Sequence, residues 1–164
     1  MNHKIELVAV SPETVKKFLA EGTAYCQTFE ITKDLLPEVV VKDAISRYSS
    51  GQDWFWCSPR FFKNLSDGTI VGSACFKNSP NNGLVDIGYG ILDSYTGQSF
   101  ASAGVAAILN EVFSRPEIIG VTAETSVDNI ASQRVLEKNG FIRTGNREDP
   151  DDGFLILWKC MRTK

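Results

Sequence analysis

The chain is poor in the side chains that most often mark a site. His3 is its only histidine, and Cys26, Cys57, Cys75 and Cys160 stand apart with no paired or CxxC spacing. That pattern argues against a zinc centre and for thiols that stay reduced. Between Lys77 and Arg115 there is no Lys or Arg at all. No apolar run approaches the roughly 20 residues of a membrane-spanning helix, and the N-terminus mixes charges with short apolar runs, unlike a signal peptide. The formal net charge of −3 leaves no basic footprint for nucleic acid. Repeats, linkers and low-complexity tracts are missing too. What remains is one cytoplasmic globular domain over residues 1–164, with no metal and no nucleic-acid or membrane partner. Hydrophobic residues at 43% and charged ones at 23% are ordinary for a domain able to bury a core.

What is present centres on residues 84–141. Leu84 to Leu92 is apolar and bounded by turn formers, which predicts a largely buried strand. Phe100, Ala101, Val105, Ile108, Leu109 and Val112 fall on one helical stripe, and Pro116 stops it. No charge occurs from Phe100 to Asn110, so this helix is expected to be covered on more than one side. Ile118 to Ala123 is the next strand. Asp128 or Asn129 then caps a helix with Ala131, Val135 and Leu136 inward, Lys138 in its last turn and Gly140 in the left-handed position. Strand, turn, helix, strand is a βαβ unit with parallel strands. The turn at the start of its helix offers unpaired N–H groups and the positive end of a dipole, the ingredients of an anion site.

The flanks read more simply. Ile5 to Val10 is a first strand, and Ser11 with Pro12 opens a helix burying Val15, Phe18 and Leu19. Thr23 to Asp34 is ambiguous and reads as a loop carrying Tyr25 and Phe29. Pro37 opens a second helix with Val40, Ala44, Ile45 and Tyr48 inward. Asp53 to Asn64 and Thr69 to Phe76 read as a hairpin turning at Ser66-Asp67-Gly68, which would put Trp54 and Trp56 on one face of a strand. Phe141 to Gly145 and Phe154 to Met161 form the last hairpin.

Ile87-Gly88-Tyr89, Tyr95-Thr96-Gly97-Gln98-Ser99-Phe100-Ala101, and the run from Asn129-Ile130-Ala131-Ser132 through Glu137-Lys138-Asn139-Gly140-Phe141 resemble the acetyl-CoA-binding core of the GNAT N-acetyltransferases, and within them the RimJ/RimL-type group. Asp152-Gly153 followed by Leu157-Trp158 is similar to that group's closing hairpin. The resemblance implies a single-domain α/β (α+β) fold, with a mixed, mostly antiparallel central sheet flanked by helices. It implies acetyl transfer from acetyl-CoA, as co-substrate, directly to a primary amine on a protein N-terminus or a small molecule. A homodimer is compatible with it.

By the same resemblance, acetyl-CoA would be held by Ile91, Leu92, Gly97, Gln98, Ser99, Phe100, Ala101, Ser102 and Asn129. Three features depart from the pattern. The loop has Thr96 where the family has Gln or Arg, Ser99 at its central Gly, and Ala103 in place of a following Glu. Leu136 stands where many relatives carry a general-acid Tyr; Ser132 is the group's alternative donor to the departing sulfur. Asp86 matches the Glu that deprotonates the amine, and one methylene less makes a relay water the expected route. Glu124, ending the neighbouring strand, is the second base candidate. Tyr25, Trp54 and Tyr89, with Phe29, are the expected acceptor lining, and Lys138 is a candidate phosphate partner. The competing expectation is a non-catalytic module with weak or lost CoA binding, acting in interaction or sensing.

Overall fold

The protein is described from a computed structural model covering residues 3–163. In chain order the elements are β1 (Ile5–Val8), α1 (Pro12–Glu21), β2 (Ala24–Cys26), β3 (Phe29–Ile31), α2 (Glu38–Ser49), α3 (Trp54–Cys57), β4 (Arg60–Asn64), β5 (Ile70–Phe76), β6 (Leu84–Ile91), α4 (Phe100–Phe113), β7 (Gly120–Ser126), α5 (Ile130–Lys138), β8 (Ile142–Asp149) and β9 (Gly153–Met161). Local chemistry explains their starts. The Ser11 side chain accepts the Thr14 N–H at 3.1 Å, and Pro12 follows at a position whose N–H would be unpaired anyway. Gly140, at φ 86°, reverses the chain after α5, and Phe141 turns back into the core.

Seven strands form one sheet in the order β1-β4-β5-β6-β7-β9-β8. Every pairing in it is antiparallel except β6 with β7. Strand alternation builds two cores from this sheet, as β4 shows. Phe61 and Phe62 are both fully buried but point to opposite faces. Phe62 joins Val71, Val85, Ile87, Val105, Ile108 and Leu136 beneath α4 and α5. Phe61 joins Val8, Val15, Phe18, Leu36 and Val41 beneath α1 and α2. α4 lies close on its face because residue 104 is glycine; a Cβ there would come within 2.5 Å of the Phe62 ring.

Four readings change. Trp54, Phe55 and Trp56 lie in a short helical turn, not a strand, because the Asp53 carboxylate accepts the Phe55 N–H at 3.0 Å and caps it. Trp54 and Trp56 therefore share no strand face and enter different cores. The ambiguous 23–34 stretch contains a small separate hairpin, β2 with β3. In α2 the buried positions are Val41, Ala44 and Arg47, whereas Val40, Ile45 and Tyr48 are half-buried. Arg47 is buried because its guanidinium donates to the Phe76 and Trp56 carbonyls, each at 2.8 Å, so its charge is fully engaged. Leu19 and Ala131, expected inward, are exposed.

Candidate active site

The site begins where two parallel strands part. β6 and β7 pair from Leu84 and Gly120 to Ile87 and Ala123 and no further. β6 then stays with β5 as far as Ile91, while β7 stays with β9 as far as Ser126. The Asp86 carbonyl accepts from Lys77 and the Leu92 N–H donates to Val71, both at 2.8 Å, so even-numbered residues of this stretch bond to the β5 side. Strand alternation then turns the N–H groups of Tyr89 and Ile91 toward the gap.

A cavity of about 320 Å³ lies at this gap, lined by Tyr89, Gly90, Ile91, residues 95–97, residues 99–101, Asn129, Ala131, Ser132 and Val135. Its floor is the turn that opens α4. Ser99 caps that helix with φ 68°, a left-handed conformation that glycine adopts without strain. Ser99, where the resemblance expects a central Gly, thus keeps the glycine backbone. Ala103 makes a backbone bond to the Ser99 carbonyl at 3.3 Å, so the Phe100, Ala101 and Ser102 N–H groups precede the helical ladder and remain available as donors. The donor set suits a phosphate group without any cation in the loop.

The opposite wall is α5. The Asn129 side chain accepts the Ser132 N–H at 3.1 Å, capping the helix. The Ser132 hydroxyl is then free to meet the Tyr89 hydroxyl at 2.7 Å. Burial raises the Tyr89 pKa, with the Ser132 bond acting in the opposite sense, so the phenol stays protonated. Leu136 is wholly buried in the core and faces no solvent.

Asp86 lies on the other face of β6. Its carboxylate accepts the Thr122 hydroxyl at 2.8 Å. Burial pushes its pKa up, against the lowering effects of the Thr122 bond and Lys77. Three residues of strand set it about 10 Å along the chain from Tyr89 at about 3.3 Å each. Glu124, two residues beyond Thr122, is clasped by Arg147, whose Nη2 donates to it at 3.0 Å. That bond holds its pKa below the usual glutamate range.

Ile91, Gly97, Ser99, Phe100, Ala101, Asn129, Tyr89 and Ser132 thus meet around one cavity. Leu92 lines a neighbouring slot instead. Ser102 turns its hydroxyl to Asn139, whose Nδ2 donates to it at 3.3 Å. Tyr25 and Trp54 fall outside the cavity. Tyr25 is 67% exposed on the separate hairpin, and the Trp54 indole donates to the Val10 carbonyl at 2.8 Å within the second core. Lys138 is exposed in the last turn of α5, outside the lining.

Sequence reasoning missed His3. Its Nε2–H donates to the Gln98 carbonyl at 2.6 Å, and its ring stacks on Phe100 with centroids 3.9 Å apart. The N-terminal arm therefore braces the turn from 95 positions away. No local signal marks that contact. Among the described residues no cluster of three metal-ligating side chains occurs and no helix is long and apolar enough to cross a membrane.

A family model described as an acetyltransferase (GNAT) domain matches residues 6–142. The Bacillus subtilis protein described as an uncharacterized N-acetyltransferase, YjdG, is 34% identical over 74 residues, a stretch spanning 44% of this chain and 44% of that protein. The match thus covers under half of that relative's length. Among solved structures, RimL, a ribosomal-protein alpha-N-acetyltransferase in complex with coenzyme A, is 19% identical over 96% of this chain and 94% of its own, with a TM-score of 0.67. AAC(6')-Ib, solved with acetyl-CoA, has 16% identity and a TM-score of 0.66 over 97% of this chain and 94% of its own. A Vibrio cholerae spermidine N-acetyltransferase chimera has 11% identity and a TM-score of 0.68 over 96% of this chain and 95% of its own. These three likenesses show the fold.

Proposed function

This chain belongs to the GNAT acetyltransferase family, and we propose that it moves an acetyl group from acetyl-CoA directly to a primary amine. The observation that carries this reading is the end of β6–β7 pairing at Ile87 and Ala123, which leaves the Tyr89 and Ile91 N–H groups beside a cavity floored by the α4 N-terminus. RimL and the aminoglycoside acetyltransferase were solved with coenzyme A or acetyl-CoA, and both are described as acetyltransferases, which supports the same chemistry here.

Acetyl-CoA, when bound, supplies an activated thioester carbon and a thiolate leaving group. The N–H groups at the start of α4 would hold its phosphates. The Tyr89 and Ile91 N–H groups would stabilise charge developing on the carbonyl oxygen. Asp86, on the other face of β6, would take the amine proton, and its distance along the strand favours a relay water. Ser132, tied to Tyr89, would donate to the departing sulfur. Glu124 is a poorer base because Arg147 already occupies it.

The test is a calorimetric titration with acetyl-CoA followed by a thiol-release assay over a panel of primary amines. Micromolar binding, about −8 kcal/mol, with amine-dependent thiol release is the expected result. Tight binding without release from any amine would favour a sensing or interaction module, and no binding near millimolar ligand would overturn the reading.

A further inference from the structure

Lys77 follows the end of β5, and its backbone N–H donates to the Asp86 carbonyl at 2.8 Å, so it sits beside the candidate base. Its side chain does not stop there. A Cβ at position 88 would come within 3.2 Å of the Lys77 Cε, so the lysine stem runs from Asp86 along β6 toward the place where β7 departs. Asp86, Gly88 and Gly90 share that face of the strand, and the two glycines leave it bare. A Cβ at position 90 would meet nothing within 4 Å. Backbone alone separates the lysine from the gap.

Covalent geometry sets the reach. A Cβ on residue 88 would stand about 3 Å from the Tyr89 nitrogen, which puts the Lys77 Cε within about 6 Å of that N–H group. A carbonyl oxygen accepting from Tyr89 would lie about 3 Å from the same nitrogen, and the lysine nitrogen is one bond beyond Cε. The ε-amine can thus come within the roughly 3–3.5 Å of a thioester carbon that attack requires. Nothing holds it elsewhere. Among the described residues Lys77 makes no salt bridge, not even with Asp34, which lines a slot with it and is likewise exposed. Lys77 also lines the open depression that contains Asp86 and Thr122. Burial raises the Asp86 pKa, and the Lys77 charge opposes that rise.

Resting on the acetyltransferase reading, we propose that Lys77 is a site of self-acetylation, its ε-amine taking the acetyl group from acetyl-CoA bound to the same chain. The Lys77 ammonium gives one proton to Asp86 through water, and the neutral nitrogen attacks the thioester carbon. The C–N bond forms, the C–S bond breaks, and the nitrogen loses its second proton while the departing sulfur gains one. The products are an Nε-acetyl amide and coenzyme A. The modification replaces the cation beside Asp86 with a neutral amide, and with it goes the charge that opposes the rise in the Asp86 pKa.

The test is mass spectrometry of the full chain after incubation with saturating acetyl-CoA and no added amine, with peptide mapping of each lysine. Lys77 is expected to gain an acetyl group at least tenfold faster than Lys17 and Lys42, two exposed lysines that report uncatalysed acetylation by the thioester. The Lys77 rate constant should not change when the chain is diluted tenfold. Excess coenzyme A should slow labelling of Lys77 at least tenfold and leave Lys42 as it was. In Lys77→Arg the fast single acetylation of the intact chain should vanish. Labelling of Lys77 no faster than Lys42, no protection by coenzyme A, a rate that falls on dilution, or fast acetylation that survives in Lys77→Arg would each overturn the proposal. A chain that binds acetyl-CoA and releases thiol with added amines, yet leaves Lys77 unmodified, overturns self-acetylation alone. If acetyl-CoA fails to bind in calorimetry, the acetyltransferase reading falls first and self-acetylation with it, an outcome distinct from the others.

Discussion

The Tyr89 hydroxyl lies 2.7 Å from the Ser132 hydroxyl and joins β6 to α5 across the mouth of the cavity. Neither side chain is placed there by the same force. Tyr89 is half-buried against the α4–α5 core, whereas Ser132 is fixed through its own N–H on the Asn129 cap. With Leu136 buried and unable to donate, this pair holds the hydroxyl protons that line the cavity beside α5. Ser132→Ala is expected to lower kcat by about 10- to 100-fold while changing the calorimetric Kd for acetyl-CoA far less. Unchanged turnover would remove Ser132 from the chemistry. Tyr89→Phe should produce a smaller loss, because it removes the orienting bond and leaves the Ser132 hydroxyl in place.

Asp86 yields a prediction that does not depend on turnover. Burial raises its pKa from the ordinary 3.8, so the folded state holds this proton more tightly than the unfolded chain does. Ionised Asp86 therefore costs stability above its folded pKa, and the cost disappears below the unfolded one. An asparagine can still accept the Thr122 hydroxyl. Asp86→Asn should melt at the same temperature as the unmodified chain below pH 4 and at an equal or higher one at pH 7, while kcat/KM falls about 100-fold. A variant that is less stable at pH 7 than at pH 4, relative to the parent, would mean the carboxylate is held by pairing instead of desolvation.

Glu124 should behave differently. Arg147 grips both of its carboxylate oxygens, and that bond pulls its pKa down. Glu124→Gln is expected to leave the pH–rate profile in place and to change kcat/KM no more than about threefold. A loss matching that of Asp86→Asn would move the base to Glu124.

His3 can be tested by separating its two contacts. His3→Ala removes both the stacking on Phe100 and the bond to the Gln98 carbonyl, and should weaken acetyl-CoA about tenfold at unchanged kcat. His3→Phe keeps an aromatic ring and should recover part of that affinity. Equal Kd values for all three proteins in calorimetry would show that the arm has no part in holding the turn.

How much of this was legible in the sequence depends on the range of the force involved. Short-range chemistry could be read directly: the Ser11 and Asn129 caps and the Gly140 reversal follow from neighbouring residues, and the parallel β6–β7 pair follows from the strand–helix–strand order. The misread stretch, Trp54 to Trp56, failed because alternating bulky residues suit a strand, yet a single Asp53 bond nucleates a helical turn. Long-range placement could not be read at all. Nothing local says that Arg47 reaches the Phe76 carbonyl, that His3 reaches Gln98, or that Tyr89 turns to Ser132 while its sequence neighbour Gly88 faces Lys77. The turn that opens α4 was legible in part: the helix start was read from the residues around Phe100, but the left-handed backbone at Ser99 was not.

That backbone makes Ser99→Gly the most discriminating substitution in the turn. At φ 68° the serine Cβ crowds the following carbonyl, a strain of about 1 kcal/mol that glycine would release. Glycine also gives the unfolded chain more freedom, at a cost of about 0.5–1 kcal/mol. The two nearly cancel, so the melting temperature should move by no more than a few degrees. The ligand supplies the decisive readout. Ser99 caps α4 without using its side chain in any capping bond, so its hydroxyl is free either to bind phosphate or to do nothing. If backbone N–H groups hold the phosphates, Ser99→Gly binds acetyl-CoA as tightly as the parent or up to a few-fold more tightly, because the turn opens freely to the same geometry. If affinity falls tenfold or more while stability holds, the hydroxyl is itself a ligand, and the serine compensates for the cation that this turn lacks.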